Sequence, residues 1–288
     1  WSAIVLGLEC GGSDALSGIT ANPALGVASD RLVELGASSV LGETTEILGA
    51  EHLLAARAID PAVGKKIVEM VARYEDSINY EGIDIRGAQP SRGNIEGGLS
   101  TLEEKSLGAA KKAGNAPFTG TLEFGEIPKV AGLYFMDTPG HDIEQLAGFG
   151  AGHINVVVFT SGRGTPTGSA IMPTIKVSTN TPMYESIPDL IDLDAGTIAD
   201  GIAVAKPGHI PFELIAKHID KVVTVSDDEI AKAIVVLMER SKQVVEPAGA
   251  AAVAALMSGA FKPKGKTVAV LSGGNIDPLL MQKIIGFG

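Results

Sequence analysis

The sequence lacks several features that would each indicate a class of protein. It has one cysteine, so no internal disulfide can form, and we expect a reducing, cytoplasmic setting. Its 23 lysines and arginines against 34 acidic residues give a net charge of −11, which argues against nucleic acid as a partner. No apolar run is long enough to cross a membrane, and no signal peptide is visible. The sequence therefore favours a soluble, acidic protein with a small-molecule ligand and no membrane partner.

Short apolar runs that are rich in β-branched residues recur along the chain and alternate with stretches at helical spacing. Hydrophobic residues make up 45% of the 288 residues, and 36 glycines indicate many tight loops. The predicted strands are 4–8, 38–41, 133–136, 154–159 and 174–177. The predicted helices are 22–35, 50–58, 61–77 and 100–113, with 79–98 as a polar loop. This pattern predicts an α/β fold of mostly parallel sheets flanked by helices, Rossmann-like, in two fused modules.

Loops of polar residues follow the ends of these predicted strands. Because the carboxyl ends of parallel strands share one edge, and ligands bind there in open α/β sheets, we expect one polar rim. The candidate residues on it are Cys10, Ser13, Asp14, Glu43, Glu46, Asp137, His141, Asp142, Arg163 and Thr165.

Each of these residues also has a purely structural interpretation. Cys10 is either a buried small side chain or a functional thiolate. Glu43 and Glu46 can simply place negative charge at a helix start, whereas His141 suits both metal binding and proton transfer but sits beside a Pro-Gly turn. Arg163, between two glycines, can clamp a carboxylate with two hydrogen bonds, or it is a surface arginine in a loop. No pair has a diagnostic metal-ligand spacing.

Residues 1 to about 200 resemble the carboxyl-terminal catalytic part of the altronate and galactarate dehydratases, a family that includes sulfolactate sulfo-lyase. The resemblance rests on motifs at 10–14, 20–24, 97–99, 104–108, 160–164 and 192–198. It implies metal-assisted removal of water from a sugar acid, with iron or manganese as the natural metals.

On this reading the rim residues divide into three roles. The catalytic candidates are Cys10, Asp14 and His141; the substrate-binding candidates are Ser13, Asn94, Lys105, Arg163 and Thr165; the metal-ligand candidates are Cys10, Glu43, Asp137 and His141.

Residues from about 197 resemble a different family, the final segment of the threonine and serine dehydratases that use pyridoxal phosphate. The motifs are at 197–204, 223–226, 245–250 and 272–277. In that family the loop Ser272, Gly273, Gly274 and Asn275 would face the cofactor. The sequence shows neither the early lysine segment nor the phosphate-binding loop of those enzymes, so we expect no pyridoxal phosphate and regard the loop as vestigial.

The two resemblances together predict a chimera with a dehydratase-like domain at 1–200 and a threonine dehydratase-like segment at 201–288. In the second part we predict helices at 211–219, 227–240 and 248–257, and strands at 222–225 and 267–271. Three hypotheses follow: a sugar-acid hydro-lyase, a pyridoxal-dependent amino-acid dehydratase, or a folded but inactive chimera. The apolar tail needs burial, so we expect it to dock on the first module or pair with another chain. A homo-oligomer, or an amino-terminal domain supplied in trans, is therefore expected.

Overall fold

The computed structural model describes residues 1–79, 89–197, 199, 202 and 217–286. The chain divides into two compact units, Trp1–Gly196 and Thr197–Gly288. Among the helices of the described residues, none is both long enough and apolar enough to cross a bilayer.

The first unit is built on a parallel sheet of seven strands. In chain order they are β1 (Val5–Cys10), β2 (Ser38–Leu41), β3 (Phe118–Leu122), β4 (Gly132–Met136), β5 (Val156–Ser161), β6 (Thr174–Ser178) and β7 (Leu193–Asp194). Across the sheet the order is β3-β4-β2-β1-β5-β6-β7, and every neighbouring pair is parallel. The predicted parallel α/β fold is thus confirmed for this unit. Sequence reasoning missed β3 and β7, because β3 is interrupted by polar residues and a bulge and β7 has two residues.

Seven α-helices and two short 3₁₀ turns flank this sheet within the described residues. They are α1 (Ala21–Glu34), a turn at Thr44–Ile47, α2 (Glu51–Ala55), α3 (Pro61–Asn79), α4 (Arg92–Glu96), α5 (Leu102–Ala110), a turn at Lys111–Ala113, α6 (Asp142–Ala151) and α7 (Thr181–Ser186).

Two local predictions about these helices are wrong. The predicted start of helix α1 at Asn22, with the Asn22 side chain as its cap, is not observed: the helix begins at Ala21, and that side chain donates to the Gly108 carbonyl and accepts from Thr160. Part of the predicted loop is helix α4, since Ser91 and Asn94 form a reciprocal capping box at its start.

The alternation of side chains along β1 decides which face each polar residue reaches. Leu6 and Leu8 belong to the core on one face of the sheet. Gly7 lies on the other face against α6, where an added Cβ would stand 2.7 Å from the ring of Phe149. Because side chains alternate, Glu9 follows Gly7 toward α6 and Cys10 follows Leu8 to the opposite face.

The chain leaves β1 toward β2 on one side, and later places β5 on the other side. The junction of β1 and β5 is therefore the switch point of the sheet, where ligands bind in folds of this type.

The second unit has its own small core, and its described residues contain no strand. Helices α8 (Asp227–Val236), α9 (Pro247–Ser258) and α10 (Pro278–Gly286) pack around side chains such as Ile234, Val245 and Ile284. The predicted strands at 222–225 and 267–271 are therefore wrong, and Val222 and Val268 are 76% and 88% exposed. An apolar run without a neighbouring strand has nothing to pair with. Most of the predicted helix at 211–219 lies outside the described residues.

Candidate functional site

The loops that follow β1 and β5 are joined at the carboxyl-terminal edge of the sheet. The Gly11 N–H donates to the Thr160 carbonyl at 3.1 Å, and the Arg163 N–H donates to the Gly12 carbonyl at 3.0 Å. Gly12 and Gly164 have φ of +61° and +84°, a conformation that favours glycine. The sheet therefore brings the Cys10 and Arg163 loops together at its switch point.

Directly beneath this edge lies a buried network of Cys10, Glu43 and Lys112. The Lys112 Nζ donates to the Cys10 Sγ at 2.8 Å and also contacts the Glu43 Oε2. The Cys10 Sγ lies 3.5 Å from the same Glu43 oxygen, which also accepts the Cys10 N–H at 3.2 Å. The Lys112 and Glu43 side chains are 0% and 2% exposed. Lys112 was not among the sequence-predicted residues.

Glu43 is held in an unusual backbone conformation. Its φ of +60° and ψ of +66° lie in the left-handed region, which costs a non-glycine residue free energy. Its N–H donates to the Thr138 Oγ1 at 2.8 Å and to the Gln145 Oε1 at 3.0 Å. Thr138 also contacts the Gln145 Oε1. Residues from β4 and α6 thus fix the backbone that directs the Glu43 carboxylate toward Lys112.

Burial controls the charge state of this network. Burial raises the pKa of the Cys10 thiol, repulsion by Glu43 raises it further, and only the Lys112 ammonium opposes them. Burial alone would lower the pKa of Lys112, but Cys10 and Glu43 outweigh it and raise that pKa. Burial also raises the pKa of Glu43, and the Lys112 ammonium acts against that rise. The Lys112 ammonium thus offsets two buried acidic groups, the Glu43 carboxyl and the Cys10 thiol.

Glu9 adds a second buried carboxyl on the α6 side of the sheet. Neither of its carboxyl oxygens has a hydrogen-bond partner, and the Gln145 Nε2 is also unpaired. Burial, and next the Glu43 charge, raise the pKa of Glu9 well above 4.5. The surroundings of Glu9 therefore favour the protonated form of its carboxyl. The sequence offered no sign of this, since the residue belongs to a strand that is otherwise apolar.

Asp14 joins the loop after β1 to the residues that follow β6. Its Oδ1 accepts from the Leu16 N–H and the Ser17 hydroxyl, at 3.1 and 2.9 Å. Its Oδ2 accepts from the Thr179 hydroxyl and the Asn180 amide, at 2.8 and 3.0 Å. With four donors and a buried position, Asp14 has the environment of a structural anchor.

Three predicted substrate-binding residues also have internal partners. The Asn94 amide donates to the Ser13 carbonyl at 2.8 Å, and the Ser13 hydroxyl lies 3.8 Å from the Cys10 Sγ. The Lys105 Nζ pairs with the Glu46 carboxylate at 2.8 Å and donates to the Gln89 side chain at 2.8 Å. All three side chains belong to buried residues at the edge of the sheet.

Thr165 links the β5 loop to two neighbouring elements. Its hydroxyl donates to the Asp142 Oδ2 at 3.1 Å, and its carbonyl accepts from the Lys176 Nζ at 2.6 Å. Burial lowers the pKa of Lys176. Lys176 was not predicted as a site residue, because its strand was recognised by its apolar neighbours alone.

Two of the predicted residues reach solvent. The Arg163 side chain is 41% exposed and pairs with the Glu96 Oε2 at 3.2 Å. His141 is exposed at the amino-terminal end of α6, and its side chain makes no capping hydrogen bond. Both side chains are therefore accessible from solvent at this edge, Arg163 while paired with Glu96.

The four predicted metal ligands are not brought together. Cys10 and Glu43 share the Lys112 ammonium, whereas Asp137 accepts from the Thr44 hydroxyl at 2.7 Å and pairs with Arg73. Across the described parts of the chain, no group of three or more His, Cys, Asp or Glu side chains is placed to hold a metal ion. These residues do not fit a metal centre.

The predicted cofactor loop lies in the second unit and is folded around Glu246. The Gly273 carbonyl accepts the Glu246 N–H at 3.0 Å, and the Asn275 N–H donates to the Glu246 Oε2 at 3.2 Å. An added Cβ at Gly273 would collide with the same carboxylate, which explains the glycine. Ser272 and Gly274 belong to the same loop, which lies against Glu246 at the start of α9.

The fold and the site together define a parallel α/β protein with a polar edge at the switch point of its sheet. Residues 1–241 match the family described as D-galactarate/altronate dehydratase, C-terminal, and the chain belongs to that family. The first resemblance predicted from the sequence is thus confirmed.

Two relatives show how similar the chain is in sequence and how much of each protein the similarity covers. The chain is 45% identical over 205 residues to an altronate dehydratase of Bacillus subtilis, and 44% identical over 200 residues to a galactarate dehydratase (L-threo-forming) of Escherichia coli. Each match covers 69% of this chain but 40% and 38% of the relative. The chain therefore spans well under half the length of these two relatives.

A separate similarity is confined to a shorter segment. An L-threonine ammonia-lyase of Thermotoga maritima is 52% identical over 93 residues, which are 32% of this chain and 23% of that enzyme. The second predicted resemblance is confirmed as well. The assignment of domains at 1–200 and 201–288 stays a prediction.

Proposed function

We propose that this chain forms the carboxyl-terminal catalytic part of a sugar-acid hydro-lyase. Its substrate would be altronate, galactarate or a related 2,3-dihydroxy acid, and its product the 2-keto-3-deoxy acid. Membership of the dehydratase family and the two sugar-acid dehydratases among its relatives support this proposal. The match covers 40% of the B. subtilis enzyme, so the activity of the whole enzyme is itself part of this proposal.

The reaction removes a proton next to the carboxylate and the hydroxyl from the adjacent carbon. The resulting enol then takes its keto form. The substrate carboxylate must be held and protons must be moved, which calls for a fixed cation and for acid–base groups. Arg163 would bind the carboxylate, and His141 or Asp142 would carry protons at the start of α6.

One observation carries this assignment. Arg163 is a solvent-exposed guanidinium whose backbone is hydrogen-bonded to the loop after β1, directly at the switch point. The buried ion pair of Lys112 and Glu43 would hold the ends of β1 and β2 beneath it. It has no access to solvent and would act through position.

Arg163→Gln tests the proposal by direct binding of galactarate and by its dehydration. Losing one charge-assisted carboxylate contact should weaken binding about 10- to 100-fold. Arg92→Gln is the matched control, because Arg92 also pairs with Glu96, at 3.0 Å, and its side chain is 93% exposed. Equal binding by both variants and the unaltered chain would refute the role of Arg163.

The pyridoxal-dependent alternative rests on the segment shared with threonine dehydratases. An absorbance scan of the purified protein for bound pyridoxal phosphate would test it, and metal analysis would test the expected iron or manganese. We place the protein in the cytoplasm, as a homo-oligomer or beside a separate amino-terminal domain. A folded chain that neither binds nor dehydrates sugar acids would support the inactive chimera.

A further inference from the structure

The carboxylate and the sulfur at the ends of β1 and β2 are spaced like two ligands of one ion. The Cys10 Sγ and the Glu43 Oε2 lie 3.5 Å apart. In a tetrahedral zinc site, sulfur at about 2.3 Å and oxygen at about 2.0 Å from the metal would stand roughly 3.5 Å from each other. The pair by itself therefore has the geometry of half a metal site.

The position between these two atoms is already taken by a cation of the chain. The Lys112 Nζ donates to the Cys10 Sγ at 2.8 Å and contacts the Glu43 Oε2. Lys112 is fully buried, so its ammonium has no access to water. A divalent ion could enter only by displacing this ammonium or by lying against it without water between them, and both are costly.

We propose that Lys112 is the resident cation of the Cys10–Glu43 pair and takes the place that a divalent metal would otherwise occupy there. The ammonium neutralises the buried Glu43 carboxylate and ties the end of β1 to the end of β2. This inference does not rest on the proposed function, and its test needs no substrate.

The surroundings of the pair agree with a built-in cation. The Cys10 N–H donates to the Glu43 Oε2, so one lone pair of that oxygen is already used. The Glu43 backbone is fixed at φ +60° by Thr138 and Gln145, so its carboxylate has little freedom to turn to another ion. The strained backbone conformation of Glu43 thus directs its carboxylate toward Lys112.

Cobalt(II) is a suitable probe, because a thiolate bound to it gives a charge-transfer absorption. The unaltered chain should show no such absorption. Lys112→Ala empties the position of the ammonium, so this variant should show the charge-transfer absorption at one equivalent of Co²⁺. The double variant Lys112→Ala/Cys10→Ser should not show it. Lys105→Ala is the matched control, since it vacates the buried ion pair with Glu46, whereas the hydrogen bonds of the Cys10 sulfur are to Glu43, Ser13 and Lys112.

Thermal unfolding provides a second, independent measurement. Lys112→Met keeps an unbranched side chain that is one atom shorter but leaves Glu43 without a counter-charge, so Tm should fall by about 10 °C. Co²⁺ should raise the Tm of Lys112→Ala and leave that of the unaltered chain unchanged.

Three results would overturn the inference. The first is a Cys10-dependent cobalt absorption in the unaltered chain, which requires no variant to fold. The second is a Tm for Lys112→Met equal to that of the unaltered chain. The third is a folded Lys112→Ala that takes up no cobalt, because the pair would then not be a cation position.

Discussion

Replacing Asp14 tests whether this residue anchors loops or takes part in catalysis. Its carboxylate is 6% exposed and accepts hydrogen bonds from four donors at 2.8 to 3.1 Å. Asp14→Ala would leave these buried donors unpaired. Hydrogen bonds to a charged group contribute about 1.5–3 kcal/mol each and are not additive, so we expect a total loss of about 3–5 kcal/mol. Asp14→Asn keeps the shape but turns an NH₂ group toward two donors, and about half of that loss should remain.

Urea unfolding of the two variants measures this loss directly. Asp60→Asn is the matched control, because Asp60 is exposed and its carboxylate accepts the Ala62 N–H, at 2.7 Å, at the start of α3. Asparagine caps a helix as well as aspartate does, so that variant should change stability by less than about 0.5 kcal/mol. If Asp14→Asn unfolds like the unaltered chain yet loses substrate turnover, Asp14 is catalytic and the anchoring argument is wrong.

Two further substitutions probe buried positions near this site. Glu9→Gln should stabilise the protein at pH 7, because burial raises the pKa of Glu9 and so disfavours its ionised form in the folded chain. The gain should shrink as the pH falls toward 4.5, where the carboxyl of the unfolded chain also takes up its proton, and a gain that is the same at pH 7 and at pH 4.5 would contradict it. Gly26→Ala should cost about 1–3 kcal/mol or more, since its Cβ would meet the Lys111 carbonyl. Gly168→Ala, which meets nothing within 4 Å, is its control in the same unfolding assay.

The outline of the first unit could be predicted because its signals are local. Apolar runs such as 133–136 and 154–159 predict strands by themselves, and the polar residues after each run predict the polar edge of the sheet. The parallel sheet then requires that the Cys10 and Arg163 loops meet, as they do.

The buried network could not be predicted, since its partners are far apart in sequence. Lys112 contacts Cys10 although the two residues are 102 positions apart in the sequence. The sequence around Lys112 is typical of the polar end of a helix. For Glu43 the sequence left two interpretations open, a metal ligand and a negative charge at a helix start, and neither of them includes Lys112 as a partner. Only the register of β1 against β2 shows that both residues end on the same side of the same junction.

The errors in the second unit have a different cause. Residues 267–271 have the composition of a buried strand, but composition predicts a strand only where another strand is available for pairing. Val268 and Val270 are 88% and 67% exposed, whereas the helices of this unit bury Ile234 and Val245. The β-strand preference of residues 267–271 therefore has no partner strand among the described residues of this unit.

This difference gives a test of whether the 267–271 segment is buried in solution. Val268→Lys should change the free energy of unfolding by less than about 0.5 kcal/mol, because an exposed side chain loses no contacts. Val245→Ala, at a site 2% exposed, should cost about 1–3 kcal/mol through lost burial and a cavity. Both variants can be followed by the circular dichroism of the helices during urea unfolding. A loss above 2 kcal/mol for Val268→Lys would mean that the segment is paired in solution after all. The strand predicted at 267–271 would then form when another strand pairs with it in solution.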